Sequence, residues 1–163
     1  MASGIDPNAL RAARQDADLT QHQLARLVGA AGGERISRWE LGTSTPRPDF
    51  LVRLAQALDI PTLRLIYLDG DVPDLRALRL QAGLTVRELV MSVNVAVPTY
   101  YAWEQGRWAR LPAPRSLDAL ARALGESVEV VVAAFHEAQR QRRRNGNAGA
   151  AAQARPERVD RCG

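Results

Sequence analysis

A repeat with a period of about 65 residues constrains this chain more than any other feature. The segment Leu19–Val28 (LTQHQLARLV) leads to SRWELG, and the segment Leu84–Val93 (LTVRELVMSV) leads to AWEQG. The two segments start 65 positions apart, and Trp39 and Trp103 are 64 positions apart. A period this constant indicates two copies of one small domain. Each copy is close to the lower size limit for an independent core, so we expect the two units to share an interface.

The same helix signals recur in both units. Thr20 with Gln23, and Thr85 with Glu88, match the capping box at the start of a second helix. A glycine stops the third helix of each unit, and a Pro-X-Pro segment then carries the chain to a fourth helix. No strand pattern occurs, so the sequence predicts an all-α chain. The last helices of the two units are expected over residues 62–67 and 127–139.

The repeated motif is Leu-Thr, three residues, Leu, then a turn and Trp-Glu or its equivalent about twenty residues on. This motif resembles the helix-turn-helix of the Cro/repressor type (XRE family), and the resemblance covers roughly residues 5–135. It implies two tandem five-helix, lambda-repressor-like helix-turn-helix domains, which we place at residues 1–69 (unit 1) and 70–138 (unit 2). Their short joint makes independent tumbling of the units unexpected.

The positive charge of the chain is concentrated at its C-terminal end. Residues 1–69 carry eight Arg against eight acidic residues, and residues 70–136 carry seven against seven. Residues 137–163 carry seven Arg against three acidic residues. The segment 139–163 has almost nothing to bury, so we expect an Arg-rich disordered tail. A continuation of the last helix over residues 140–144 is the alternative.

In the family, the third helix lies in the major groove of DNA and the second helix crosses the phosphates. The resemblance implies that Arg38 grips guanine and that Glu34 accepts from a cytosine amino group. Gln21 and the residues after the third helix would contact the DNA backbone. A solvated helix face is the alternative for Arg35 and Arg38. The predicted DNA-contacting residues of unit 1 are Thr20, Gln21, Gly33, Glu34, Arg35, Ser37, Arg38, Thr43, Ser44 and Arg47.

The third helix of unit 2 differs from that of unit 1. The equivalent positions hold Val97, Pro98, Tyr101 and Ala102, and none of these side chains offers a bidentate edge to a base. Val86 also replaces the glutamine of the second helix. The residues of unit 2 that we still expect to contact DNA are Thr99, Tyr101, Arg107 and Arg110.

An apolar surface is the alternative for unit 2. Aromatic side chains are enriched in protein interfaces. Tyr100, Tyr101 and Trp108 are therefore predicted to form a patch that packs against unit 1 or against a second chain. Between this role and a weak DNA contact, the sequence favours packing or dimerisation.

Several kinds of chemistry have no candidate residues. His22 and His136 have no second His or Cys at metal-ligand spacing, and no catalytic set or phosphate-binding loop occurs. We therefore expect no enzyme, no cofactor, no metal and no small-molecule ligand. The apolar runs are too short to span a membrane, no signal peptide is recognisable, and Cys162 has no disulfide partner. These features predict a cytoplasmic protein.

The sequence thus predicts a transcriptional regulator of bacterial or phage type that binds double-stranded DNA at the nucleoid. Unit 1 would read the sequence, and the chain would act as a homodimer, as family members commonly do. One alternative is a nucleoid-associated protein that binds many sites with modest preference. The other is a protein-interaction module that has lost DNA contact, which the neutral charge of both units favours.

Overall fold

The computed structural model describes residues 4–153, and the side chains of residues 4–147. Cys162 and the rest of the predicted tail from 154 to 163 lie outside the described residues. Within 4–153 the chain is helical apart from one isolated β-bridge between Ile5 and Ile66. Its elements are α1 (Pro7–Asp16), α2 (Gln21–Val28), α3 (Gly33–Glu40), α4 (Pro48–Ala57), a 3-10 helix (Thr62–Leu65), α5 (Leu75–Gln81), α6 (Val86–Val93), α7 (Val97–Glu104), α8 (Pro114–Leu124) and α9 (Val128–Gln153).

Both predicted capping boxes are confirmed, and they set where α2 and α6 begin. The Thr20 hydroxyl accepts from the amide of Gln23 at 3.2 Å, and the Gln23 side chain accepts from the amide of Thr20 at 2.8 Å. Thr85 and Glu88 repeat this arrangement at 3.3 and 2.7 Å. Each box supplies acceptors for amides that have no partner within the helix. The helix that lies ahead of each third helix therefore starts at a position defined by its own sequence.

Each unit has its own hydrophobic core, and the cores meet at α5. Ala77 and Leu80 lie on the first helix of unit 2, yet both are buried in the core of unit 1. Gly83 ends α5 in a left-handed conformation with φ of 72°, and a Cβ there would lie 3.1 Å from Val52 on α4. The expected interface between the units is therefore present. The largest buried side chains are Leu10, Leu24, Ile36, Trp39, Leu51, Leu54 and Leu65 in unit 1 and Leu75, Leu78, Leu89, Tyr100 and Phe135 in unit 2.

The end of unit 1 is shorter than predicted. The helix expected over 62–67 is a single 3-10 turn that stops at Leu65. Ile66 then adopts an extended conformation and pairs with Ile5. The carbonyl of Leu65 accepts from the amide of Asp6 at 2.8 Å. This pairing ties the two ends of unit 1 together.

The last helix of unit 2 is longer than predicted, because α9 continues to Gln153. The expectation of a disordered tail is therefore wrong for residues 139–153. Glu137 is buried and accepts from Arg140 at 2.6 Å and from Arg144 at 2.7 Å. Arg144 also donates to the carbonyl of Asp69 at 2.9 Å, in the joint between the units. These contacts fix the helix beyond 139.

Candidate nucleic-acid interface

A buried ion pair holds the third helix of each unit. In unit 1, Nε of Arg14 on α1 lies 2.6 Å from Oε1 of Glu40 at the end of α3. In unit 2, Nε of Arg79 on α5 lies 2.8 Å from Oε1 of Glu104 at the end of α7. Each arginine also donates to a carbonyl just before the next helix, that of Leu19 or Leu84. One side chain thus fixes three segments at once, and the arrangement is repeated in both units.

The surroundings of Glu40 include a residue that we predicted to contact DNA. Gln21 Nε2 donates to Oε2 of Glu40 at 2.9 Å, so the side chain of Gln21 is fixed against α3. Burial opposes the charge of Glu40, but the hydrogen bonds from Arg14 and Gln21 outweigh it and lower the pKa of Glu40. Glu40 therefore stays ionised at neutral pH. Unit 2 has Val86 at the position of Gln21, and the hydroxyl of Tyr100 is instead the third group beside Arg79 and Glu104.

A groove of about 580 Å³ runs along the exposed side of α3. It brings together four of the predicted contact residues from α3 and the loop that follows, and Gly33 also lines it. Both charge signs and a hydroxyl are present, so the groove can donate to and accept from polar edges. The predicted contact residues with side chains on the groove are Glu34, Arg35, Arg38 and Ser44.

The two arginines of α3 have different surroundings. The guanidinium of Arg35 lies 5.8 Å from the ring centre of Trp39 and 5.7 Å from that of Phe50, so it covers the aromatic pair. The side chain of Arg38 is exposed. The backbone carbonyl of Arg38 accepts from the amide and the hydroxyl of Thr43, at 3.0 and 3.2 Å. The position of Arg38 is thereby set by the turn that ends α3. Of the two, Arg38 has the side chain that is free to reach a ligand.

Gly33 lines the groove but is buried, unlike the exposed residues that follow it on α3. It is buried beneath the ring of His22, and a Cβ at Gly33 would lie 2.6 Å from Nδ1 of that imidazole. The first turn of α3 is therefore covered by a side chain from α2. The role predicted for Gly33 finds no support in its burial, and His22 takes its place at this end of the groove.

The remaining predicted residues of unit 1 lie around the groove. Thr20 is exposed, but its hydroxyl caps α2. Ser37 lines a smaller hollow with Gln21 on the other side of α3. Arg47 is exposed beyond the groove and lies 3.6 Å from Oδ1 of Asp49. The predicted set thus forms a belt around the exposed part of α3 rather than one compact cluster.

The predicted aromatic patch of unit 2 is wrong as a set. Tyr100 is completely buried, and burial raises the pKa of its hydroxyl. It lies three residues before Trp103, as the core residue Ile36 lies three residues before Trp39, so its position in the repeat is a core position. Trp108 is half-buried against Phe135, with ring centres 5.8 Å apart.

What remains exposed on the third helix of unit 2 is small. Tyr101 is 44% exposed, with Val97 one helical turn before it. Thr99, Arg107 and Arg110 are exposed as well. The four contact residues predicted for unit 2 are therefore all on the surface, but the exposed residues of α7, which are Val97, Pro98, Thr99 and Tyr101, carry no charge.

Sequence reasoning missed His22, Thr45 and the partners Arg14 and Glu40. His22 and Thr45 both line the groove. His22 directly follows Gln21 on the turn that we expect to face phosphates, and this position was the available signal. Among the described side chains, no group of three or more His, Cys, Asp or Glu residues lies together as a metal site would require. No helix between residues 4 and 153 is long and apolar enough to cross a membrane.

Comparisons with known families agree with this geometry. A family model described as helix-turn-helix matches residues 10–65, and one described as helix-turn-helix domain matches residues 74–134. The chain is a tandem helix-turn-helix protein of the Cro/repressor (XRE) type. No curated protein and no solved structure matches it. Two such domains make the chain a DNA-binding protein of the regulator class, and these domains typically act by binding rather than by catalysis.

Proposed function

We propose that this helix-turn-helix protein is a sequence-specific regulator that reads double-stranded DNA with α3 of unit 1. The groove beside α3 carries the proposal, because it offers guanidinium, carboxylate and hydroxyl groups on an exposed helix face. Arg38 is the proposed guanine reader and Glu34 the proposed cytosine reader. Arg47 and the exposed residues after α3 contact phosphates. The protein would then act at the nucleoid.

Gln21 has a positioning part in this scheme. Its side-chain nitrogen is held by Glu40 at 2.9 Å, which ties the first residue of α2 to the end of α3. The amides at the start of a helix attract phosphate. We propose that the Arg14–Glu40 pair keeps α2 and α3 in register, so that phosphate at α2 and bases at α3 are engaged together.

Unit 2 is proposed to hold DNA without reading its sequence. Its third helix has no bidentate side chain, whereas Arg107 and Arg110 are exposed where backbone contacts are expected. Dimerisation is proposed for the chain as a whole, since regulators of this type commonly bind two-fold sites. The half-sites would then lie about 34 Å apart or a multiple of that distance.

An electrophoretic shift with genomic fragments at two salt concentrations tests the proposal. We expect binding that selects a subset of fragments and weakens as salt rises. Binding to all fragments alike would instead favour a nucleoid-associated protein. Absence of binding at low salt would overturn the proposal.

The protein-interaction module remains the second candidate function. The equal numbers of Arg and acidic residues in residues 1–69 and in residues 70–136 favour it. The burial of Tyr100 removes one member of its predicted surface and Trp108 is half-buried, which leaves Tyr101 as the exposed member. The shift experiment separates this candidate from a regulator, because a module without DNA contact gives no complex at any salt concentration.

A further inference from the structure

The second half of α9 lies against the turn that follows α7. Gln139 Nε2 donates to the carbonyl of Trp108 at 3.3 Å, and Arg142 Nη1 donates to the carbonyl of Gly106 at 3.4 Å. Gly106 is buried with φ of 65°, and a Cβ there would overlap the backbone of Ala138. Only glycine therefore allows this approach. The arginine-rich part of α9 is thus fixed beside the exit of the third helix of unit 2.

Two arginines of α9 form ion pairs within the protein. Glu137 is buried and lies within 2.7 Å of guanidinium nitrogens of Arg140 and Arg144. Burial opposes the charge of Glu137, but the two arginines outweigh it and lower the pKa of this carboxyl. Arg144 also reaches the joint at Asp69. Part of the positive charge of these two residues is therefore offset by Glu137.

Four other arginines near the α7–α9 contact are exposed and are not offset in this way. Two follow α7 and two lie on α9 at the point where it meets the turn. Within the part of the chain whose side chains the structure describes, no Asp or Glu forms an ion pair with any of them. These four residues are Arg107, Arg110, Arg142 and Arg143.

We propose that Arg107, Arg110, Arg142 and Arg143 form one surface of unit 2 that binds the phosphate backbone of duplex DNA. The inference rests on the proposed function, because it takes the chain to be bound to duplex DNA through unit 1. Arg107 and Arg110 follow α7 as the expected phosphate contacts of unit 1 follow α3. Arginine suits this ligand because its planar guanidinium donates two parallel hydrogen bonds to phosphate. Helix α9 adds two further guanidiniums that the repeat itself does not supply.

The test is a salt titration of one duplex with the full chain and with the double variant Arg142→Ala/Arg143→Ala. Each phosphate contact that is lost lowers the slope of log affinity against log salt by about 0.9. We expect the slope of the double variant to be smaller by about 1.8. The affinity of the unaltered chain should then fall on the order of tenfold more than that of the variant between about 50 and 200 mM salt.

Arg122→Ala is the control, because it removes one positive charge, half of what the double variant removes, from another part of unit 2. Arg122 is exposed on α8 and lines a shallow hollow with Ser127 and Val128 at the start of α9. Arg142 lies 14 residues beyond Val128, which is about 21 Å along the helix. We expect Arg122→Ala to leave the slope unchanged. Circular dichroism before the titration confirms that all variants are folded.

The outcomes separate the inference from the proposed function. If the double variant keeps the full slope while Arg47→Ala weakens binding, the surface on α9 does not exist and the regulator stands. If Arg122→Ala lowers the slope by about 0.9, which is half the loss expected for the double variant, net charge rather than a surface is responsible, and the inference is overturned. If the unaltered chain binds no DNA at any salt concentration, the proposed function and the inference are both overturned.

Discussion

Units 1 and 2 hold their third helices in the same way but present different surfaces on them. The pairs Arg14–Glu40 and Arg79–Glu104 have nearly the same length, 2.6 and 2.8 Å. The exposed side of α3 carries two arginines and a glutamate. The exposed side of α7 carries Val97, Thr99 and Tyr101. The residues that build the fold thus recur in both units, and the exposed residues of the third helix do not.

The first turn of each third helix shows the same contrast. Gly33 is covered by the ring of His22, whereas Val97 at the equivalent position carries its own side chain and is 40% exposed. Arg87 stands in unit 2 where unit 1 has His22. The residues that hold the third helix are thus alike in the two units, whereas the exposed residues on it differ. Substitutions that treat the two units as matched copies can therefore test each role.

The largest effect is expected when the tryptophan of unit 1 is removed. Trp39 is 1% exposed and lies 5.3 Å from Phe50, so Trp39→Ala should cost about 3 to 5 kcal/mol of unfolding free energy. Trp103 is only partly buried, with Phe135 at 5.5 Å, and Trp103→Ala should cost less. Tyr101→Ala is the aromatic control and should change stability by about 0.5 kcal/mol or less.

Denaturant unfolding followed by circular dichroism measures all three variants. If the two tryptophan substitutions lower the unfolding free energy equally, the exposed fraction of the side chain does not determine the loss. A melting curve unchanged by both substitutions would remove the argument for a shared core.

A second comparison removes the arginine of each buried ion pair. Arg79→Met leaves Glu104 buried without its cation, which should cost about 3 kcal/mol or more. Arg14→Met should cost less, because Glu40 keeps the hydrogen bond from Gln21 at 2.9 Å, whereas the Tyr100 hydroxyl beside Glu104 also donates to the carbonyl of Leu75. Denaturant titration of the two variants gives the difference. Adding Gln21→Ala to Arg14→Met should make the loss of unfolding free energy equal to that of Arg79→Met. If the two losses stay different, the hydrogen bond from Gln21 contributes nothing.

The parts of the fold that could be predicted from sequence are those that depend on residues close together in the chain. Capping boxes lie within four residues, so Thr20 and Thr85 identify the starts of α2 and α6 correctly. The ion pair of Arg14 with Glu40 spans 26 positions and leaves no periodic pattern, so only the structure reveals it. The prediction that Tyr100 is exposed is wrong because it considers only that the side chain is aromatic. It leaves out the position of Tyr100 relative to Trp103, which is a core position of the repeat.

The length of α9 could not be predicted for a related reason. Composition after residue 139 is polar and typical of a solvated segment. What stabilises the helix is tertiary: Glu137 is buried by the fold, and Arg140 and Arg144 then pair with it. For the candidate site, the resemblance carries positions over from Trp39, and the side chains of Glu34, Arg35, Arg38 and Ser44 do line one groove, but their contact with DNA stays a prediction. Gly33 is the exception, since the loop before it differs from that of unit 2 and His22 covers it.

A third comparison concerns the recognition surface. Arg38→Ala should lower affinity for the specific site by about 1 to 3 kcal/mol and relax the preference at one base pair. Arg47→Ala should weaken all sequences alike, because phosphate carries no sequence information. Titrations on specific and random duplexes measure both effects. Equal losses on the two duplexes for Arg38→Ala would assign Arg38 to the phosphate backbone.

The reverse substitution sharpens this comparison. Ala102 occupies the position of Arg38 in unit 2, so Ala102→Arg gives α7 the side chain that it lacks. If unit 2 holds only the backbone, affinity should rise for every sequence without a new preference. A preference gained at an additional base pair would show that α7 lies in a major groove, and unit 2 would then be a reader that has lost its arginine.

The smallest effect is expected at the first turn of α3, where the sign of the change depends on His22. In the unaltered chain, Gly33→Ala places a Cβ 2.6 Å from the His22 ring, and turning that exposed side chain aside should cost about 0.5 to 1.5 kcal/mol. The helix gains about 0.5 to 1 kcal/mol when alanine replaces glycine, so the two effects nearly cancel. With His22→Ala also present, only the gain remains, and Gly33→Ala should raise the unfolding free energy. A double-mutant cycle by thermal unfolding measures the coupling between the two residues. If Gly33→Ala has the same effect with and without His22, the imidazole does not cover this turn, and Gly33 returns as a candidate for close approach to a base.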